Sequence, residues 1–316
     1  MTGSIPPQTR MMRFDDAAIA AAAKIIAAGG CVAVPTETVY GLAADATDGA
    51  AVAGIYAAKG RPSFNPLIVH VTDRVMAERL GEFDSIAARL ADAFWPGPLT
   101  IVVSRRADCP VANLATAGLE TIALRCPAHR AMQELIAASG KPLAAPSANA
   151  SGGVSPTTAA HVLASLGGRV PLVIDAGPCS AGLESTIVRP MSDRLVLLRP
   201  GPVTAEMLTA ASGLPVVADE SGAISAPGQL ATHYAPGKPV LLDCVAPPAD
   251  AFVIGFGSGV CDYQLSAAAD LTEAAARLFD ALHAGAASVK PRIAVAPIPH
   301  EGLGMAINDR LHRAAA

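Results

Sequence analysis

Three short segments hold most of the side chains able to do chemistry. Lys59-Gly60-Arg61-Pro62-Ser63-Phe64-Asn65-Pro66-Leu67-Ile68-Val69-His70 is the richest in polar groups. Lys59 and Arg61 stand two apart, so on an extended backbone both heads project from one side and can grip a polyanion, the Arg as a planar fork and the Lys as a point charge. Pro62 and Pro66 stiffen the segment and Asn65 can bond its own backbone, which sets the geometry before a ligand arrives. Pro35-Thr36-Glu37-Thr38-Val39-Tyr40-Gly41-Leu42 places hydroxyls directly after an expected strand, suited to a small polar molecule or to a turn closed by an internally bonded Thr. Pro146-Ser147-Ala148-Asn149-Ala150-Ser151-Gly152 offers hydroxyl, amide and glycine backbone to phosphate and ribose oxygens, or is an ordinary polar turn. The Lys/Arg pair, read alone, is more often a solvated surface.

Other patterns exclude familiar chemistries. No G-x-x-x-x-G-K-[ST] cradle occurs, and Gly255-Phe256-Gly257-Ser258-Gly259 is followed by Val260 where a dinucleotide fingerprint needs a sixth-position glycine, so it reads as a tight turn after a strand. The six cysteines, Cys31, Cys109, Cys126, Cys179, Cys244 and Cys261, form no C-x-x-C pair, and most of them read as small buried hydrophobes. His300-Glu301 has Gly304 where a second zinc histidine would stand. Lys plus Arg (23) nearly balances Asp plus Glu (27), a net charge of −4, and duplex nucleic acid is a poor first guess for the ligand.

The elements that must position these groups alternate helical and β-branched patterns from residue 15 to about 217. Asp15 and Asp16 can cap a helix ending at Gly29-Gly30, with the strand Cys31 to Pro35 after it. Asp84 opens a second helix, with Ile86, Leu90 and Phe94 on one face, stopped by Pro96-Gly97-Pro98 before the strand Leu99 to Val103. Further strands are expected at Thr121 to Leu124, Leu172 to Ile174, Thr186 to Val188 and Leu195 to Leu198, and helices near Met132 to Ile136 and Thr158 to Leu166. A length of 316 residues, 52% of them hydrophobic, excludes disorder as the main state and favours two domains. The division expected is a larger α/β domain over 13–217, a Gly/Ser/Pro/Ala-rich linker over 218–238 and a smaller α/β unit over 239–316, with strands at Val240 to Leu242, Phe252 to Ile254 and Ile293 to Val295. Ala17 to Val34, the longest run of low polarity, is broken by Lys24 and Gly29-Gly30, and Met1 to Arg10 carries no apolar signal stretch, so a cytoplasmic location is expected.

Taken together, the three segments resemble the signature segments of the threonylcarbamoyl-AMP synthase family, whose catalytic unit is the YrdC-like domain. The resemblance continues through Ser155-Pro156-Thr157, Glu184-Ser185-Thr186-Ile187-Val188 and Leu198-Arg199-Pro200-Gly201. Ala231-Thr232-His233-Tyr234-Ala235-Pro236 looks like the linker motif of the long, two-domain form, and Gly302-Leu303-Gly304-Met305-Ala306-Ile307-Asn308-Asp309-Arg310-Leu311 extends the likeness toward the C-terminus.

The resemblance implies an α/β fold, a YrdC-like twisted mixed sheet with helices plus a smaller C-terminal α/β, Rossmann-like domain. It also implies a reaction: L-threonine, bicarbonate or CO2, and ATP give threonylcarbamoyl-AMP and pyrophosphate, for the threonylcarbamoyladenosine modification of tRNA. By similarity Lys59 and Arg61 are the catalytic pair and bind the triphosphate, with Ser63, Thr121, Ser147, Asn149, Ser155, Arg199 and Tyr234 around the nucleotide. Thr36, His70, Arg125, Ala145 and Ser185 form the threonine pocket, Arg125 pairing with the carboxylate and Ala145 acting through its backbone. Mg2+ is expected to ride on the triphosphate, since no carboxylates cluster as a cage. A carbamate that is already an anion needs no activated Ser, Cys or His, in keeping with the absence of a recognisable triad. A downstream tRNA threonylcarbamoyl transferase is the implied partner, with neither stable nucleic-acid binding nor a membrane.

Two other readings fit the same segments. An RNA-binding module of this fold is opposed by charge, since residues 1–237 carry 17 basic and 19 acidic side chains and residues 238–316 carry 6 and 8. Another carbamoyl-adenylate-forming enzyme is opposed by the lack of zinc-finger-like cysteine sets. His233 and Tyr234, an imidazole and an aromatic ring in a segment of small residues, further suggest that the linker folds back over the cleft as a lid.

Overall fold

The computed structural model describes residues 8–61, 65–219 and 233–316. Short apolar runs build one large sheet from β1 (Arg10–Arg13), β2 (Val32–Pro35), β3 (Tyr40–Asp45), β4 (Ile68–His70), β5 (Leu99–Ser104), β6 (Thr121–Arg125), β7 (Leu143–Ala144), β8 (Leu172–Asp175), β9 (Thr186–Pro190), β10 (Leu195–Arg199) and β11 (Val216–Ala218). Their order is β1-β8-β2-β3-β7-β4-β6-β5-β9-β10-β11, with parallel and antiparallel neighbours mixed.

Seven helices lie between these strands: α1 (Asp16–Ala27), α2 (Gly49–Lys59), α3 (Arg74–Glu78), α4 (Ser85–Phe94), α5 (Arg130–Ser139), α6 (Ala159–Leu166) and α7 (Ala205–Ser212). Side-chain oxygens start them, as where Asp15 accepts from the Ala18 N–H and Asp84 from those of Ile86 and Ala87. Side chains alternate across a strand, so each sheet face has its own partners. On one face Ala33, Val69, Ile101 and Leu124 meet α2, α4, α6 and α7 in the main core. On the other, α1 and α5 cover Val32, Val34, Ala43 and Leu172. Further along that second face Ile68, Val102, Ala123, Ile187, Val196 and Leu198 form a small apolar group made of strand residues alone. His70, Arg125 and Thr121 share this face by alternation.

The second unit is a four-stranded parallel sheet of β12 (Val240–Leu241), β13 (Ala251–Gly255), β14 (Tyr263–Gln264) and β15 (Arg292–Val295), ordered β12-β15-β13-β14. Helices α8 (Leu271–Ala287) and α9 (Leu303–Ala315) pack on it, and its core also takes in Val39, Val154 and Leu183 of the first unit. The contact is close enough to exclude a side chain: at Gly182, whose φ is +68°, a Cβ would stand 2.4 Å from the Cα of Ala276 in α8. No described helix is long and apolar enough to cross a membrane. The mixed sheet with a smaller parallel α/β unit is the fold class that the sequence implied.

The sequence reading missed α2, β3 and the strand character of Ile68–His70. Residues 35–42 and 59–70, expected from their composition to be polar loops, each pass through a strand or helix.

Candidate active site

The polar segments converge on one cavity. It is lined by Thr36, Thr38, Val39 and Gly41 after β2, Arg61 after α2, Ile68 and His70 in β4, and Arg125 at the end of β6. Ala145, Pro146 and Ser147 after β7, Glu184 and Ser185 before β9, Arg199 at the end of β10, and His233 and Tyr234 complete the wall. Strand ends supply most of these residues, because backbone leaving a ladder can turn its groups toward a ligand.

The cavity is cationic and holds polar atoms without protein partners. Arg61 Nε, Asn65 Oδ1, His70 Nδ1 and His233 Nδ1 are buried and unpaired, and three of these four residues line the wall. Burial holds His70 neutral, its pKa lowered to about 3, and His233 likewise, lowered to about 4. Orphaned buried polar atoms are costly unless a ligand uses them.

Arg125 is held from two sides: Nη2 donates to Glu37 Oε1 at 2.7 Å and Nε to the Gly97 carbonyl at 3.3 Å. Burial pushes the Glu37 carboxyl up, but the adjacent Arg125 charge prevails and holds it below its usual range. Arg199 turns its fork onto Ser185, with Nε and Nη2 donating to the carbonyl at 3.0 and 2.8 Å and Nη2 to Oγ at 3.1 Å. Ser185 Oγ lies 2.7 Å from Thr100 Oγ1. Thr36 Oγ1 donates to the Val39 carbonyl at 2.8 Å and accepts from Thr38 and Val39 N–H groups, so it is an internally bonded turn that also walls the cavity.

Lys59 is the main departure from the sequence reading. It closes α2, Gly60 follows at φ +62°, and Arg61 comes after this left-handed turn, so the two cations do not project together from extended backbone. The ammonium is buried and donates to the carbonyls of Ser147 and Asn149, the latter at 2.6 Å. Burial, with the neighbouring Arg61 charge, lowers its pKa. Lys59 thus clamps the 146–152 loop from behind. Asn149 is likewise engaged by its own loop, its Nδ2 donating to the carbonyls of Ala150 and Gly153 at 3.0 and 2.8 Å.

The structure therefore brings Thr36, Arg61, His70, Arg125, Ala145, Ser147, Ser185, Arg199 and Tyr234 to one wall, with Lys59, Asn149 and Ser155 immediately behind it. Thr121 is not on that wall. It opens β6 on the same sheet face as Arg125, about 13 Å away at strand rise, and lines a neighbouring cavity with Val102, Ser104 and Arg189. Ser63 lies outside the described residues.

Three residues gain importance that the motifs alone do not give them, and His233, already expected in a lid, gains a second role. Glu37 orients Arg125, Glu184 walls the cavity, His233 brings an unpaired nitrogen, and Arg310 reaches Glu184 from the second unit at 2.8 Å. Each stood inside a quoted motif, but a buried charge's partner is set by the fold.

The fold and this pocket define a class: a mixed-sheet YrdC-like unit with a cationic cavity, joined to a smaller α/β unit that packs against it. A family model described as "Telomere recombination", for Sua5, YciO and YrdC proteins, matches residues 24–201. Another, described as "Threonylcarbamoyl-AMP synthase, C-terminal domain", matches 203–316. The threonylcarbamoyl-AMP synthase of Bacillus subtilis is 40% identical over 97% of this chain and 95% of its own, and that of Pyrococcus abyssi 38% identical over 96% and 95%. The crystal structure of Pyrococcus abyssi Sua5 complexed with L-threonine superposes with a TM-score of 0.87 at 36% identity, covering 99% of this chain and 98% of that one. The chain belongs to the threonylcarbamoyl-AMP synthase family, in its two-domain form, and is a transferase.

Proposed function

We propose that this chain condenses L-threonine, bicarbonate or CO2, and ATP into threonylcarbamoyl-AMP and pyrophosphate, as the cytoplasmic supply of the group that a downstream transferase places on tRNA. The observation that carries this reading is the cationic cavity in which Arg61, His70 and His233 present unpaired buried nitrogens. The threonine amine attacks the carbon of bicarbonate, water departs, and a carbamate anion forms. One carbamate oxygen then bonds to the α-phosphorus of ATP as the bond to the β-phosphate oxygen breaks and pyrophosphate leaves.

No group needs to be deprotonated for the second step, so the work is to hold two anions together and to spread the charge that develops. Arg125, braced by Glu37 and Gly97, offers Nη1 to the threonine carboxylate. Neutral His70, whose free nitrogen can donate or accept according to tautomer, suits the amino acid's polar groups. Arg61 faces the phosphates, and the 146–152 loop clamped by Lys59 supplies backbone and hydroxyl groups. Mg2+ arrives with the triphosphate, because Glu37 and Glu184, the carboxylates bordering the cavity, already face arginines. Tyr234 and His233 close the cavity and keep water from the carbamate and the adenylate, the role of a lid.

Pyrophosphate release tests the reading. It is expected only when ATP, L-threonine and bicarbonate are all present, and equal release without threonine sinks it. Serine, lacking one methyl contact worth about 1 kcal/mol, is expected to show roughly 5-fold lower kcat/KM.

A further inference from the structure

The motif Gly302–Leu311 lies in the second unit, away from every segment the reaction uses, yet it sends one residue into the first. Arg310 of α9 is fully buried. Its Nε donates to Glu184 Oε2 at 2.8 Å and its Nη2 to the Pro200 carbonyl at 3.0 Å, while Nη1 bonds the adjacent Asp309. Asp309 is held in turn by Arg313 at 3.0 Å, so the guanidinium is braced from its own helix.

What it meets across the junction is not generic surface. Glu184 walls the cavity, and its other oxygen accepts from Ser155 Oγ at 2.5 Å. The Ser155 carbonyl is met by His283 Nε2 of α8 at 3.1 Å. Arg310 also lies 5.5 Å from the ring centroid of Tyr234, which stacks on Phe279 of α8 at 5.3 Å. Tyr234 has φ +66°, a left-handed conformation that a tyrosine keeps only under constraint. Ser155, Glu184 and Tyr234 thus each owe their position to the second unit.

We propose that Arg310 is a positioning residue of the active site, fixing Glu184 and through it Ser155, and holding Tyr234 against the cavity, so that the nucleotide subsite is incomplete without the second unit. The inference rests on the reaction proposed above. A purely structural ion pair would hold the units together and do nothing more. The two roles separate, because a buried pair can be replaced by neutral groups with stability retained, whereas its geometry cannot.

The test is a double-mutant cycle in the full chain with Arg310→Met, Glu184→Gln and the pair together, reading melting temperature, ATP affinity by calorimetry and kcat/KM for pyrophosphate release. Arg310→Met takes the ion-pair partner from a buried carboxylate and is expected to melt lower and to lose about 30-fold or more in kcat/KM for ATP. The double variant should recover the melting temperature but not the kcat/KM, and its loss should not exceed that of the worse single change. Arg310→Lys, which keeps the charge and removes the fork, stands in if Arg310→Met does not fold, with a loss of roughly 10-fold expected. A folded Arg310 variant with native kcat/KM and ATP affinity overturns the proposal, as do losses that multiply in the double variant. If the native chain releases no pyrophosphate with threonine and bicarbonate, the reaction above is wrong, and the ATP affinities of the same variants still decide the role of Arg310.

Discussion

At the scale of single residues, two cations separated only by Gly60 do different work, and this separates their mutants. Arg61 lines the cavity through a nitrogen with no protein partner, so Arg61→Ala should lower kcat/KM by roughly 100-fold with little change in melting temperature. Lys59 is buried on two loop carbonyls, and Lys59→Met should cost activity and also about 2 kcal/mol or more of stability, because both carbonyls lose their donor. Steady-state kinetics beside thermal melts distinguish the two; equal stability in both variants would contradict the clamp. Glu37→Gln should raise KM for threonine more than it lowers kcat, since it loosens Arg125 without touching the nucleotide.

At the scale of elements, the site depends on two strand-end turns pressed together. Gly201, just after β10, lies against the backbone before β9: a Cβ there would stand 2.5 Å from the Thr186 nitrogen and 2.7 Å from the Glu184 carbonyl oxygen. Gly201→Ala should therefore destabilise by a few kcal/mol, on the order of other overpacked buried sites, and shift Ser185, lowering activity per folded molecule. Urea unfolding and kinetics on one preparation check both halves. The sequence made this architecture partly readable. Asp15, Asp84 and the Pro96-Gly97-Pro98 stop announced α1 and α4, and β-branched runs announced β2, β5, β6, β9 and β10. The helix α2 escaped because Gly49-Ala50-Ala51-Val52-Ala53-Gly54 is too poor in large apolar residues to show a periodic stripe. β3 escaped because Tyr40–Asp45 is buried along its whole length and so does not alternate. The candidate residues were legible from their motifs, but which cation lines the cavity and which one bonds the loop backbone was decided by the left-handed turn at Gly60.

At the scale of the whole molecule, buried neutral histidines couple folding to pH. Burial lowers the pKa of His70 to about 3 and those of His233 and His283 to about 4. All lie below the unfolded value of about 6.5, so their contribution to stability is complete above pH 6.5 and is lost as pH falls toward the folded values. Near pH 5 each should subtract about 2 kcal/mol relative to pH 8, with close to three protons taken up on unfolding. Glu184, where Arg310 and Arg199 overcome the burial that pushes its carboxyl up and lower the pKa to about 2, extends the loss from about pH 4.5 downward. Denaturant melts across this range should show that slope, and a flat profile between pH 6.5 and 5 would contradict the buried, neutral state. His283→Gln should remove about one proton from it. The missing side chain at Gly182 has a different consequence. Because α8 rests on that backbone with no room for a methyl group, the two units share a fitted joint whose halves must change together during descent. A chimera joining the first unit of one relative to the second unit of another should work only where the residue at the position of Gly182 stays hydrogen-sized or the backbone of the facing helix sits farther away, so this one contact limits which halves can be inherited separately.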